Sequence, residues 1–138
     1  MDIVEKNKEL MKKFETMINT ADEKLAEELV DSNAPFYTPA NPEPLYGGKG
    51  YLSVVHFMRK GFSDVQWHIT DMVANEDKVA VKWDLTATHD GEFMGIKPTN
   101  KKISVCVMNF YYFNKDGKVT NDVAAEGMIG ILRGIGAL

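Results

Sequence analysis

The hydrophobic period of this chain changes once. Up to about residue 62 apolar residues recur every three or four places, and from Val65 onward they recur every second place. A helix repeats every 3.6 residues and a strand every two, so the pattern demands helices first and strands after. Strands that succeed one another through tight turns pair antiparallel. A sheet of that kind covers one face with the preceding helices, which is an α+β architecture.

Leu10, Met11, Phe14, Met17 and Ile18 form one stripe on a first helix of about four turns. Thr20 with Glu23 three places on predicts a capping box, opening a second helix that carries Leu25, Ala26, Leu29 and Val30. Residues 34–50 hold four of the five prolines and three glycines, which predicts an irregular loop. Its Phe36, Tyr37, Leu45 and Tyr46 are too apolar for a solvated tether, so the loop is expected to lie over something apolar. A third helix is expected from Tyr51 to about Phe62, with apolar residues pointing in several directions.

In the second half Val65, Trp67 and Ile69 alternate with polar residues, as do Val79, Val81, Trp83, Leu85 and Ala87. Asn75-Glu76-Asp77-Lys78 and Lys115-Asp116-Gly117-Lys118 supply hairpin turns. The strand from Ile103 to Phe113 is apolar on both faces, so both should be covered. Helices can cover only one, which predicts a homodimer or higher homo-oligomer.

Composition excludes several classes. A length of 138 residues suits a single domain, 1–138. The net charge of −4, with lysines scattered rather than striped, gives no footprint for nucleic acid. No apolar run approaches the roughly 18 residues that span a bilayer, and no signal-peptide core opens the chain. A soluble cytoplasmic protein is expected. The lone Cys106 reads as a small hydrophobe in a strand. The three histidines lack metal-ligand spacing, which argues against zinc. Gly47-Gly48-Lys49-Gly50 lacks the phosphate-loop patterns and reads as a turn into the third helix.

The segment Thr86-Ala87-Thr88-His89-Asp90-Gly91-Glu92-Phe93-Met94-Gly95-Ile96-Lys97-Pro98-Thr99-Asn100-Lys101 resembles the "T-x-T-H-x-G-x-F-x-G-I-x-P-T-x-K" signature of the SnoaL-like polyketide cyclases, or ester cyclases. The opening Asn7–Phe14, the helix-turn Asn19, Gly61-Phe62-Ser63-Asp64, Asp77–Trp83 and the ending Ile129–Leu138 resemble the same family in the same order. The resemblance implies an NTF2-like (cystatin-like) cone: three N-terminal helices on a curved antiparallel sheet, and a short C-terminal helix. It implies intramolecular aldol-type ring closure by acid/base catalysis in an apolar pocket, without cofactor, on a small apolar or aromatic carbonyl compound. A non-catalytic ligand-binding protein, or another lyase, isomerase or hydrolase on that scaffold, is the alternative.

One departure falls where chemistry would lie. The family reads "G-K-I-x-E-H-W-x-x-x-D" after the last hairpin; here Asp122 stands at the His, Val123 at the Trp and Gly127 at the Asp. That Asp resembles the general acid/base of the cyclases. The acids on hand are Asp122 and Glu126, which read equally well as a solvated strand face. His89 and His56 are the candidate donors, with Tyr37 and Tyr112 also weighed. His89 can be read instead as a brace for its loop. The expected pocket walls are Phe36, Tyr37, Phe57, Trp83, Met108, Phe110 and Tyr112.

Overall fold

A computed structural model describes residues 1–38, 41–125, 129, 131, 135 and 136. Helix α1 (Ile3–Thr20) begins at Asp2, whose carboxylate accepts the Glu5 N–H, and ends at Ala21 in the left-handed region. Helix α2 (Glu23–Leu29) is capped by Asp22, which accepts the Leu25 N–H at 3.0 Å. The expected capping box at Thr20 does not form: its hydroxyl donates back to the Thr16 carbonyl, still inside α1.

The expected loop at 34–50 is instead a hairpin, β1 (Pro35–Thr38) with β2 (Asn41–Tyr46), leading into helix α3 (Gly47–Gly61). The glycine run therefore lies inside the first turn of α3 rather than before it. At Gly48 a Cβ would sit 2.6 Å from the Ala26 backbone, so a side chain there would push α2 and α3 apart.

The sheet contains β3 (Gln66–Ala74), β4 (Lys78–Thr88), β5 (Lys102–Phe113) and β6 (Val119–Ala124), antiparallel in that spatial order. Helices α1 and α3 lie against its inner face. Two asparagines on α1 fix the docking. Asn19 accepts the Trp67 N–H and donates to the Trp67 carbonyl, both at 2.8 Å. Asn7 donates to the Asn75 and Glu76 carbonyls in the β3–β4 turn. Met11, Phe14, Met17, Leu52, Val55, Val79, Val81 and Trp83 fill the space between helices and sheet. This is the α+β arrangement read from the change of period. Of the short C-terminal helix expected near the end of the chain, Ile129 and Ile131 are helical, and the rest lies outside the described residues.

Register decides which face each strand residue takes. Trp83 pairs with Val107, Val81 with Asn109, and Val79 with Tyr111; Tyr111 pairs in turn with Asp122. Directly paired residues share a face. Trp83, Val107, Asn109, Tyr111 and Asp122 therefore point inward, and Met108, Phe110, Tyr112 and Val123 point outward.

Candidate active site

Between α3 and the inner face of the sheet lies a cavity of about 250 Å³. Helix α3 supplies Tyr51, Val54, Val55 and Met58, at offsets of three and four that keep them on one face. The sheet supplies Trp67, Trp83, Val107, Asn109 and Tyr111. Asp122 reaches in from β6 and, among the described residues, is the single carboxylic acid on a wall that is otherwise mostly apolar.

Burial pushes the Asp122 carboxyl up to about 6, opposed by a hydrogen bond from Asn109. The Asn109 Nδ2 donates to Asp122 Oδ1 at 2.7 Å. Asn109 is itself buried, and holding this acid is the polar interaction that offsets its own desolvation. Beside them stand two buried phenols. Tyr51 packs its ring on Phe14 and Phe36, at centroid distances of 4.7 and 5.0 Å. Tyr111 packs on Phe14 and on the edge of Trp83. Burial, with the nearby Asp122 charge adding to it, raises the Tyr51 hydroxyl well above the ordinary phenol range, and a hydrogen bond with Tyr111 works against that rise. Burial raises Tyr111 likewise. Both therefore stay protonated donors at neutral pH.

This arrangement can accept a proton at one carboxylate and present hydroxyl protons to a nearby oxygen, out of bulk water. Carboxylate in an apolar recess plus hydroxyl donors is the equipment of proton abstraction beside a carbonyl. Among the described residues, no group of three His, Cys, Asp or Glu side chains is placed to hold a metal ion.

The candidates drawn from the sequence separate widely. Of the expected walls, Trp83 lines the cavity. Met108, Phe110 and Tyr112 do not: they occupy the outer face, because inward Trp83 fixes the odd-numbered residues of β5 as the inner set. Phe36 is buried behind Tyr51 rather than in the cavity wall, and Tyr37 is exposed on the hairpin. Phe57 packs against Phe93 at 5.3 Å, away from the cavity. His56 is exposed, since five residues beyond Tyr51 an α-helix has turned roughly 140° away. Glu126 lies outside the described residues.

His89 is buried but belongs to another part of the molecule. Its β4 neighbours place it ten residues beyond Val79, the residue in line with Asp122, which is roughly 30 Å of strand. The Thr99 N–H approaches its Nδ1 at 3.3 Å and the Thr99 hydroxyl at 3.0 Å, while Nε2 is buried without a partner among the described residues. The signature loop around it is built as a brace. The Asp90 and Gly91 N–H groups donate to the Gly61 carbonyl at the end of α3. A Cβ on Gly91 would fall 2.0 Å from the Lys60 carbonyl oxygen. The Ser63 N–H and hydroxyl bind Asp90, and the Thr88 N–H and hydroxyl bind Asp64, each at 2.7 Å. Hydrogen bonds from Thr88 and from Ser63 hold the Asp64 and Asp90 carboxyls below the usual range.

Tyr51, Asn109 and Tyr111 are cavity residues the sequence reading did not single out. A polar Asn at the centre of an apolar strand was the available signal. Its partner across β6 was the acid.

A family model described as SnoaL-like polyketide cyclase matches residues 8–135. The chain belongs to the SnoaL-like polyketide cyclase family. Solved structures align over nearly the whole chain. AclR of Streptomyces galilaeus, provisionally named a hydroxylase, is 27% identical with a TM-score of 0.70, covering 98% of each chain. A protein of Acidithiobacillus ferrooxidans, provisionally named a polyketide cyclase, is 25% identical with a TM-score of 0.73, covering 97% of this chain and 99% of the other. A SnoaL-like protein from Jannaschia sp. CCS1 shares the fold at 18% identity and a TM-score of 0.77, covering 100% and 96%. No curated protein matches the sequence. Among the described residues no helix of the SnoaL-like chain is long and apolar enough to cross a membrane.

Proposed function

We propose that this SnoaL-like protein is a cofactor-independent acid/base catalyst that closes a ring within a small carbonyl compound, with Asp122 as the proton-transferring group. The observation that carries the reading is a half-buried carboxyl, raised to about 6, in a cavity whose other walls are mostly apolar. At neutral pH it is mainly ionised and can take a proton from a carbon flanked by two carbonyls. The resulting enolate carbon attacks a ketone of the same molecule, forming the carbon–carbon bond. The Tyr51 hydroxyl, kept protonated by burial, holds the oxygen on which charge gathers. Asp122, now protonated, returns its proton to the alkoxide. Protons balance, and no oxidant or reductant is consumed. This assigns to Tyr51 the donor role expected of His89 or His56.

A carrier without catalysis is the second reading, favoured by Gly127 standing where the family has its acid. Other chemistry on the same scaffold is a third, since one solved relative is named a hydroxylase and another a cyclase.

The test is turnover of a panel of poly-β-carbonyl compounds by the wild type and Asp122→Asn. The ring-closure reading expects kcat/KM to rise with pH through about 6. In the amide variant kcat should fall by about 10²–10⁴-fold while ligand binding persists. Undiminished turnover in Asp122→Asn sinks the assignment. Tight binding of a panel member with no reaction at any pH favours the carrier.

A further inference from the structure

We propose that the cavity seats its substrate lengthwise, the reacting carbonyls at Asp122 and an uncharged hydrocarbon tail toward Met58, which sets the tail's length. The substrate class is then a compact chain that closes a single ring, not a fused four-ring system. The identity of the reacting end rests on the ring-closure reading; the seat for the tail does not.

The cavity has two unlike ends. Tyr51 and Tyr111 both pack on Phe14, at 4.7 and 5.0 Å, and Tyr111 pairs across the sheet with Asp122. Their hydroxyls, the Asn109 amide and the acid gather the polar groups of the wall at one end. Met58 lies seven residues beyond Tyr51 on α3, about 10 Å of helix. There it joins Trp67, Leu85 and Val107 in an apolar wall. The sheet repeats the order. Along β4, Val79 pairs with Tyr111, and Leu85, six residues on, pairs with Trp67. Buried Phe62, Val65 and Ala87 back this end, so a tail cannot run on through it. Among the described residues no Lys, Arg or His lines the cavity, so a charged tail would lie there without a counter-ion. Size limits the guest as well. An apolar cavity of about 150 Å³ holds one benzene, so about 250 Å³ holds roughly ten to fourteen heavy atoms. That suffices for one ring with a short substituent, and a fused four-ring system exceeds it.

The test is binding of a homologous series of alkane-2,4-diones, read by the fluorescence of Trp67 and Trp83, the chain's two tryptophans, both in the cavity wall. These diones lack a third ketone and cannot close a ring, so turnover plays no part. Each added methylene should tighten binding about fourfold until the tail meets Met58, at about the decane homologue, and longer tails should bind no better. Met58→Ala, which removes about three heavy atoms, should move that limit about three carbons longer. Met58→Phe should move it to shorter tails. Met108→Ala, on the outer face, should leave every affinity as it is. No binding across the series, no limit to the tail, or a limit unmoved in both folded Met58 variants would overturn the proposal. A limit that moves as expected, beside undiminished turnover in Asp122→Asn, would uphold the seat for the tail and sink only the ring-closure reading.

Discussion

Asn109 and Phe110 are neighbours on β5, and they invert the ordinary expectation. The amide is 9% exposed and the phenyl ring 48%. The inner face of the strand accepts a polar group because Asp122 is there to receive its hydrogen bond. The outer face displays apolar groups that no described residue of the chain covers. Residue hydrophobicity therefore does not tell which way β5 faces. Register does, through the pairing of Trp83 with Val107. On β5 the polar Asn109 is met by a specific partner on the inner face, and the outer face carries apolar residues that no described residue covers.

The largest effect that separates the faces is on stability. Trp83 is 1% exposed and packs on Tyr111, so Trp83→Ala should cost about 3–5 kcal/mol. Met108→Ala, one cross-strand row away on the outside, should stay within about 0.5 kcal/mol. Both are best measured by urea denaturation at the same protein concentration. Similar losses at the two positions would abolish the distinction between the faces.

Much of this could be read from residue order alone. The period change located the helices and the sheet, because burial of one face imposes it wherever the chain is regular. The hairpin at 35–46 was hidden by its prolines. Pro42 and Pro44 are tolerated because β2 belongs to a two-stranded ribbon and is not a central strand. The walls drawn from β5 came out on the wrong side because both of its faces are apolar, which erases the usual alternation cue. The segment most diagnostic of the family, around His89, proved to be a brace beneath α3 rather than part of the cavity. A sequence signature reports which residues a fold requires, and tight turns require them as strictly as chemistry does. Asp122 was visible as an acid, but its direction depended on pairing with Tyr111, a long-range fact.

A smaller effect tests whether Asp122 truly belongs to the inner side. In the unfolded chain its carboxyl titrates near 3.8, and in the folded protein near 6. The native state thus holds this proton more tightly. The group's favourable contribution is complete below about pH 4 and is lost as pH climbs through 6, a change of at most about 3 kcal/mol. Asp122→Asn carries no titrating group, and its Oδ1 can still accept from Asn109. The variant should therefore match the wild type in acid and exceed it in melting temperature above neutrality. Calorimetry at a series of pH values would show the two curves diverging between about 4 and 7. Parallel curves would put the carboxyl in solvent and remove the contrast on which the cavity reading depends.

The finest test concerns the single hydrogen bond across β5 and β6. Asn109 favours the charged form of Asp122, partly cancelling burial. A hydrogen bond to a charged group is worth about 1.5 kcal/mol at the lower end, or roughly one pH unit. Asn109→Leu, similar in size, should therefore move the Asp122 titration from about 6 to about 7. Carbon-detected NMR of the Asp122 carboxyl reads this directly, with no need for a substrate. Phe110→Leu, one residue along but outward, should leave the titration where it was, because its side chain never meets the acid. If both substitutions shift it equally, the effect is a general loosening of β5 and not the loss of one donor; if neither does, the bond has no electrostatic role in the cavity.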